Sequence, residues 1–436
     1  MLNNLNNNPK EDIARFVKEM GDKYGYLPKW NYSFQKNKLF YNTPFVDDNE
    51  LVSVINTFLM GKWAGAGQEV KLFEDEFAAI NNNKHCVAVN SGSSANLLML
   101  AAIKELYKFE DNDEILVSVV GFSTTFSAII LNNLKPVFID IENKTLNFNL
   151  ELIEQKITNR TKAILVSPVL ANPPDYDKLK EICEKHNLLL ITDGCDSLLT
   201  KWNNQHLNEL SIATSCSFYA AHHATTMHGG SVTTDNEELS SIIRSLSRWG
   251  SQCKCRGTQN LTLTGSCGKR FSNWLDTRPD LIVDDKYVYN YSGYNTQMLD
   301  IQAAMGREQL KKLEIIHKLR NKHKQIIENL FRKYIPEIYH PIILDKASPS
   351  WFGVPLVCPD GMKVKLVQYL ENNGIQTRNY FCGNSLCQKA FQKYGNWLEY
   401  DAANKILENV FFIGCNPNFN QDNFDYLESI IKSFQP

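Results

Sequence analysis

Short runs of consecutive apolar residues alternate along this chain with longer segments whose apolar positions recur every three or four residues. The runs at 85–89, 115–119, 136–139, 163–167 and 188–192 read as strands with no polar face, which a strand has only when both of its faces are covered. The segments 93–107, 124–131 and 176–186 between them read as helices. Strands separated by helices predict a mainly parallel sheet with helices on both sides, an α/β fold. Upstream, 11–25 and 47–60 also read as helices, the second from Val52, Ile55, Phe58 and Leu59. They lead into GKWAGAGQEV, read as a glycine-punctuated loop. A further strand at 214–219 ends in two adjacent histidines, His222 and His223, and a turn closed by Gly229-Gly230 returns the chain into a strand at 231–234. Neighbouring residues on a strand point to opposite faces, so one histidine can face a site while the other packs; both can also be structural.

Ligands of such sheets lie beyond the carboxyl ends of the strands. The first strand ends in Asn90-Ser91-Gly92-Ser93-Ser94 and opens a helix, so backbone amides and small hydroxyls converge on a helix N-terminus suited to an anion. The second ends in Gly121-Phe122. The fifth ends in Asp193-Gly194-Cys195-Asp196, where an acid straight after LLLIT calls for a charged partner. Ser217 and the histidines share that edge. An anion cradle, an aromatic ring, an acid and a base are the parts a pyridoxal phosphate site needs.

Composition narrows the classes. The chain has 436 residues, 43% hydrophobic and 22% charged, with a net charge of −2, so no charge imbalance points to nucleic acid and a second domain is affordable in length. The polar N-terminal stretch and the absence of any run near ~18 apolar residues predict a cytoplasmic protein. Eleven cysteines without a secretion signal favour free, catalytic or metal-ligating thiols over disulfides.

The motifs NSGSSANLL, GFSTTFSAI, LLLITDGCDSL, SFYAAHH…GG and SGYNTQMLDIQAA, in this order from about residue 40 onward, resemble those of the sugar aminotransferase superfamily of fold-type I PLP enzymes. The resemblance implies a large domain at 46–310 with a mainly parallel seven-stranded sheet, a smaller C-terminal α/β domain at 311–436 and an N-terminal helical segment at 1–45. His222 stands where those aminotransferases carry the lysine that binds the cofactor, and this substitution marks the nucleotide-sugar 3-dehydrases. RSLSRWGSQCKC, CGKRF, PSWFGVPL and GIQTR resemble most the CDP-4-keto-6-deoxyglucose 3-dehydrase branch, which adds a 2Fe-2S cluster. The resemblance makes His222 the catalytic base and Asp193 the partner of the pyridinium nitrogen. It gives Phe122 the stacking position, Gly92, Ser93, Ser94 and Ser217 the phosphate, and Asp196 a cofactor-side place; Asn295 would come from the second subunit of a homodimer. Arg378, with Arg270 and His223 as weaker candidates, would meet the nucleotide sugar, although Arg378 can also be read as half of a surface ion pair. His228 replaces the usual Glu before Gly-Gly, and Thr225-Thr226 replaces Ile-Thr.

A Cys-x-Cys pair arises by chance roughly 0.3 times in a chain with this many cysteines, so Cys253 and Cys255 alone decide nothing. The family spacing gives fifty-seven residues between the first two cluster ligands and one between the next two, and Cys195, Cys253 and Cys255 reproduce both. It then gives seven, where eleven separate Cys255 from Cys267; surface loops tolerate such an insertion. Four thiolates suit an iron–sulfur cluster or zinc. The function implied is removal of the 3-hydroxyl of a nucleotide-linked 4-keto-6-deoxyhexose by pyridoxamine phosphate. Reduction would run through the cluster from an NAD(P)H-dependent iron–sulfur flavoprotein reductase, in 3,6-dideoxysugar biosynthesis. Two alternatives stay open: a cluster-free, glutamate-dependent 3-dehydratase of a GDP- or TDP-sugar, and a catalytically inert dimeric homologue.

Overall fold

The computed structural model describes residues 9–24, 37–60, 66–253, 255 and 268–435. Its main sheet holds β1 (His85–Val89), β2 (Glu114–Ser118), β3 (Lys135–Ile139), β4 (Thr161–Val166), β5 (Leu189–Asp193), β6 (Ala213–Ser217) and β7 (Gly230–Thr234). Their spatial order is β1-β7-β6-β5-β4-β2-β3. Only β7 runs against its neighbours, so the carboxyl ends of the other six share one edge. Each residue of β2, β6 and β7 is buried, which is why these strands read as unbroken runs rather than alternating ones.

The helices follow local chemistry. α1 (Pro9–Tyr24) packs on α2 (Asp48–Leu59), and α2 begins with a capping box in which Asp47 accepts from Asn49 N–H at 2.9 Å while Glu50 accepts from Asp47 N–H. α3 (Gln68–Ile80) begins within the last three residues of the predicted loop 61–70 and continues beyond it. Its buried face is Val70, Phe73 and Phe77, and its first turn is capped by Asp300, which accepts the N–H groups of Gly67 and Val70, both at 3.0 Å. That cap comes from more than two hundred residues away, so no local pattern announces it. α4 (Gly92–Leu106), α5 (Ser123–Leu131) and α6 (Tyr176–His186) fall where the sequence places them, and α7 (Glu237–Ser247) and α8 (Asp300–Leu310) complete the cover.

The chain then enters α9 (Leu313–Tyr334) and a second, antiparallel sheet in which β10 (Val410–Gly414) lies between β8 (Gly353–Val357) and β9 (Thr377–Asn379). Leu313 packs with the large-domain residues Phe73 and Phe218, whereas Ile327 and Phe331 lie in the small-domain core. One helix, beginning just after the expected boundary at 311, thus contributes to both cores. Before residue 46, Leu39 bridges to Ile375 and sits in the small-domain core. Phe352 and Phe412 of the small domain join the core of the large one, which fixes the cleft between the two. Among the described residues no helix is long and apolar enough to cross a membrane.

Candidate active site

A cavity of about 600 Å³ opens at the carboxyl edge of the main sheet, under the small domain. Asp193, the last residue of β5, forms its floor and is 5% exposed. Four donors surround its carboxylate: Asn96 Nδ2 at 2.7 Å and Thr125 Oγ1 at 2.6 Å on one oxygen, Ser215 Oγ at 3.2 Å and Cys195 N–H at 3.3 Å on the other. Ser215 Oγ also lies 2.6 Å from Asn96 Oδ1. Asn96 and Thr125 sit one turn inside α4 and α5, so both helices are tied to β5 through this acid. Neither was singled out from the sequence, although both lie within the motifs quoted.

At the expected anion cradle the N-terminus of α4 opens onto the cavity. Ser91 caps α4, accepting from Ser94 N–H at 3.1 Å, and Gly92, Ser93 and Ser217 line the cavity. A Cβ on Gly92 would stand 2.7 Å from Ser217 Cβ and 2.9 Å from Cys195 Sγ, so the backbone approaches these side chains as closely as only glycine allows. Phe122 lies at the start of α5 with 53% of its surface open, edge-on to Phe381 at 6.1 Å. The donor-surrounded acid, the helix N-terminus and the open aromatic ring fit a pyridoxal-type cofactor with its nitrogen, phosphate and ring face placed in turn.

His222 and His223 diverge as alternation on a strand would make them, but from a turn. β6 ends at Ser217, and His222 N–H donates to Tyr219 O at 2.9 Å. The His222 ring enters the cavity with Nδ1 2.8 Å from Cys195 O. A carbonyl oxygen can only accept, so Nδ1 carries the proton and Nε2 keeps a lone pair. Burial pushes its pKa down to about 4, with Arg320 acting in the same direction against the Cys195 hydrogen bond. Asp196 Oδ1 stands 3.8 Å from Nδ1, and burial together with Asp193 pushes that carboxyl up to about 8. At neutral pH this pair therefore rests as a neutral imidazole beside a protonated acid. Among the described residues no lysine lines the cavity.

Several expectations need correction. His223 does not meet the cavity: it is buried, with Nε2 2.7 Å from Ser350 O. Arg270 is held by Asp284 across a two-stranded ribbon, its Nε 2.6 Å from Oδ1, and does not line the cavity. Arg378 does line it. Its guanidinium lies 4.3 Å from the Tyr41 ring centroid and donates to Thr377 O at 2.7 Å, which leaves the surface-ion-pair reading without a carboxylate among the described residues. His228 lines the cavity beside Tyr219, the ring centroids 5.1 Å apart. Asn295 is exposed and outside the cavity of its own chain, its backbone bridged to Arg248.

The predicted cluster ligands do not gather. Cys195 lines the cavity, whereas Cys253 lines a separate cleft that His85 and Cys86 also line, and Cys255 lines another with Ala88. β1, which borders both of those clefts, lies three strand positions from β5 in the sheet. Among the described residues no three His, Cys, Asp or Glu side chains come together to hold a metal ion; Cys267 lies outside them. Linear spacing had suggested otherwise because it counts residues and not strands.

The architecture and the cofactor-shaped edge define a fold-type I PLP-dependent enzyme of the sugar aminotransferase type. Residues 46–432 match the DegT/DnrJ/EryC1/StrS aminotransferase family, and the chain belongs to it. It is 34% identical over 395 residues to the lipopolysaccharide biosynthesis protein RfbH of Salmonella typhimurium, covering 88% of this chain and 89% of the relative. It is 33% identical to the dTDP-4-dehydro-2,6-dideoxy-D-glucose 3-dehydratase of Saccharopolyspora spinosa, over 89% of this chain and 85% of the relative. The solved E. coli GDP-4-keto-6-deoxy-D-mannose 3-dehydratase with bound hydrated PLP superposes with a TM-score of 0.77 at 28% identity, covering 90% of this chain and all of that one.

Proposed function

We propose that the chain is a pyridoxamine-phosphate-dependent 3-dehydrase that removes the 3-hydroxyl of a nucleotide-linked 4-keto-6-deoxyhexose. The observation that carries this is His222, placed where the aminotransferases keep their lysine, with Nδ1 bound to Cys195 O and Nε2 left as the base. When bound, the cofactor supplies an amine for the sugar's 4-keto carbon and an electron sink. Asp193 holds the pyridine nitrogen, the Gly92–Ser94 turn and Ser217 hold the phosphate, and Phe122 covers the ring. His222 Nε2 takes the proton from the cofactor's 4-prime carbon, a role that suits an imidazole kept neutral by burial. Asp196, uncharged at neutral pH, leaves that imidazole without a competing ion pair. Arg378, stacked on Tyr41 at the cavity wall, meets the diphosphate.

The finer reading has a homodimer in which Asn295 of each subunit completes the other's phosphate site, CDP as the nucleotide, and two electrons delivered from a reductase through a 2Fe-2S cluster. The cysteine spacing supports the cluster, but Cys195 stands apart from Cys253 and Cys255 in one chain. A cluster that uses all three can draw Cys253 and Cys255 from the second subunit. The alternative reading is the cluster-free, glutamate-dependent 3-dehydratase of a GDP- or TDP-sugar. Iron content after anaerobic purification and dependence on glutamate separate the two.

The test of the main reading is His222→Asn. It should abolish dehydration and exchange of the 4-prime hydrogen while pyridoxamine phosphate binds within about threefold of normal, because the phosphate cradle lies elsewhere. Substantial turnover by the purified variant would overturn it.

A further inference from the structure

Arg320 projects from the middle of α9 and is 1% exposed, yet it has no ion-pair partner among the described residues. Burying a guanidinium without a carboxylate is costly unless its donors are used, and here they converge on one place. Nη2 lies 3.2 Å from His222 O and 3.4 Å from Ala221 O, and Nη1 lies 3.1 Å from Phe352 O. Its Nε finds no partner. The guanidinium carbon also stands 5.8 Å from the Phe352 ring centroid, and that ring is 4.9 Å from the His222 ring. One side chain thus grips the backbone on both sides of the catalytic imidazole: the turn that carries it and the small-domain strand entry that walls it in.

We propose that Arg320 is a positioning residue for the reaction at His222, clamping the 221–222 carbonyls to the Phe352 backbone so that the His222 ring stays between Cys195 O and the Phe352 ring with Nε2 toward the cofactor. The proposal rests on His222 being the base. The turn bearing His222 lies outside β6, so sheet hydrogen bonds do not fix it, and the carbonyl clamp takes over that task. The connection also couples the two domains: α9 carries Leu313 in the large-domain core and Ile327 in the small-domain core, with Arg320 between them. Seating of the small domain and aim of the base are then set by the same side chain. Cys415 Sγ, 4.0 Å from Nη1, and Asn42, which donates to Ala221 O, are the other polar groups at the clamp.

The experiment uses the cofactor-loaded chain with Arg320→Met and Arg320→Lys. The readouts are the exchange rate of the 4-prime hydrogen per bound cofactor, pyridoxamine phosphate affinity, and the 15N signals of the His222 ring. A displacement of about 1 Å at a reacting group can lower a rate about 100-fold. Arg320→Met should therefore slow exchange roughly 10- to 100-fold with cofactor affinity within about threefold, and the His222 signals should change from one Nδ1–H tautomer to a mixture. Arg320→Lys, whose ammonium can still donate to the carbonyls, should recover most of the rate. Should Arg320→Met fail to fold, the lysine variant and Phe352→Leu, which loosens the opposite wall, carry the test through the same ring signals. Unchanged exchange per bound cofactor together with an unchanged His222 tautomer, in whichever of these variants folds, overturns the proposal. Exchange that persists in His222→Asn would instead remove the reading beneath it, so the two failures are distinguishable.

Discussion

Replacing Asp193 by Asn separates what this acid does for the cofactor from what it does for the fold. The two side chains are nearly isosteric, and the oxygen that accepts from Asn96 Nδ2 and Thr125 Oγ1 is retained. The other position becomes an amide facing Ser215 Oγ, which can turn wholly to Asn96 Oδ1, 2.6 Å away. Only the 3.3 Å bond from Cys195 N–H loses its acceptor. Asp193 also contributes to the raised pKa of Asp196, so removing its charge lowers the cost of ionising that neighbour. The cofactor-free variant should accordingly unfold at or slightly above the wild-type temperature. Cofactor binding should suffer, because a hydrogen bond to a charged group contributes about 1.5–3 kcal/mol, and at a nearly buried site little of that is screened. A Kd roughly 10- to 150-fold weaker is expected. At a cofactor concentration of about 100 times the wild-type Kd, binding stabilises the wild type by about 2.7 kcal/mol; a 30-fold weaker variant would keep about 0.9 kcal/mol. Absorbance titration gives the Kd, and thermal unfolding with and without cofactor gives the linkage. A Kd within threefold of wild type would refute the pairing of Asp193 with the pyridine nitrogen, and a large drop in cofactor-free stability would mean that the charge is structural.

Asp196 should make the iron-free, cofactor-free protein less stable as pH rises. Its folded pKa of about 8 lies above the ordinary carboxylate value, so the folded chain holds a proton that the unfolded chain has released; His222, lowered to about 4, acts oppositely but only below about pH 6.5. Between pH 6.5 and 8 the loss should be about 2 kcal/mol by urea unfolding, and Asp196→Asn should abolish that slope. Gly92→Ala, whose Cβ would press on Ser217 and Cys195, should cost about 1–3 kcal/mol of stability and most of the phosphate affinity, read from unfolding curves and cofactor titration. A Cys195→Ser chain mixed with a Cys253→Ser chain should regain visible absorbance and up to one cluster per dimer after subunit exchange if the ligands come from two subunits. Iron bound by the wild type but never by the mixture would refute the shared cluster.

Much of the large domain is legible because its strands are buried on both faces and its helices carry their own caps: Asp175 before Tyr176–His186 and Ser91 before Gly92–Leu106 are adjacent to what they stabilise. Strand ends then point to the cavity edge, and Asp193, Ser217, Phe122 and Gly92 could be named from their positions alone. Contacts that close over long sequence distances were not legible. α3 was missed because its cap is Asp300, and Arg320 was missed because its partners, at 221–222 and 352, belong to other elements. Arg270 shows the converse: its motif matches, but its side chain is spent on Asp284.

The cysteines show why spacing and coordination part company. A count of fifty-seven residues between Cys195 and Cys253 fixes only an upper limit on their separation, and in the fold the two line different cavities. The carbonyls of Cys253 and Cys255 are both held by Arg248, whose backbone pairs with that of Asn295. Trp249, 55% exposed, and the exposed Tyr294 lie next to this pair, an apolar surface of the kind that a second subunit covers. If that subunit receives Asn295 at its phosphate cradle, the Arg248 link places Cys253 and Cys255 at the same interface. The cofactor site and any cluster would then be completed by one docking event, and loss of the dimer would remove both together.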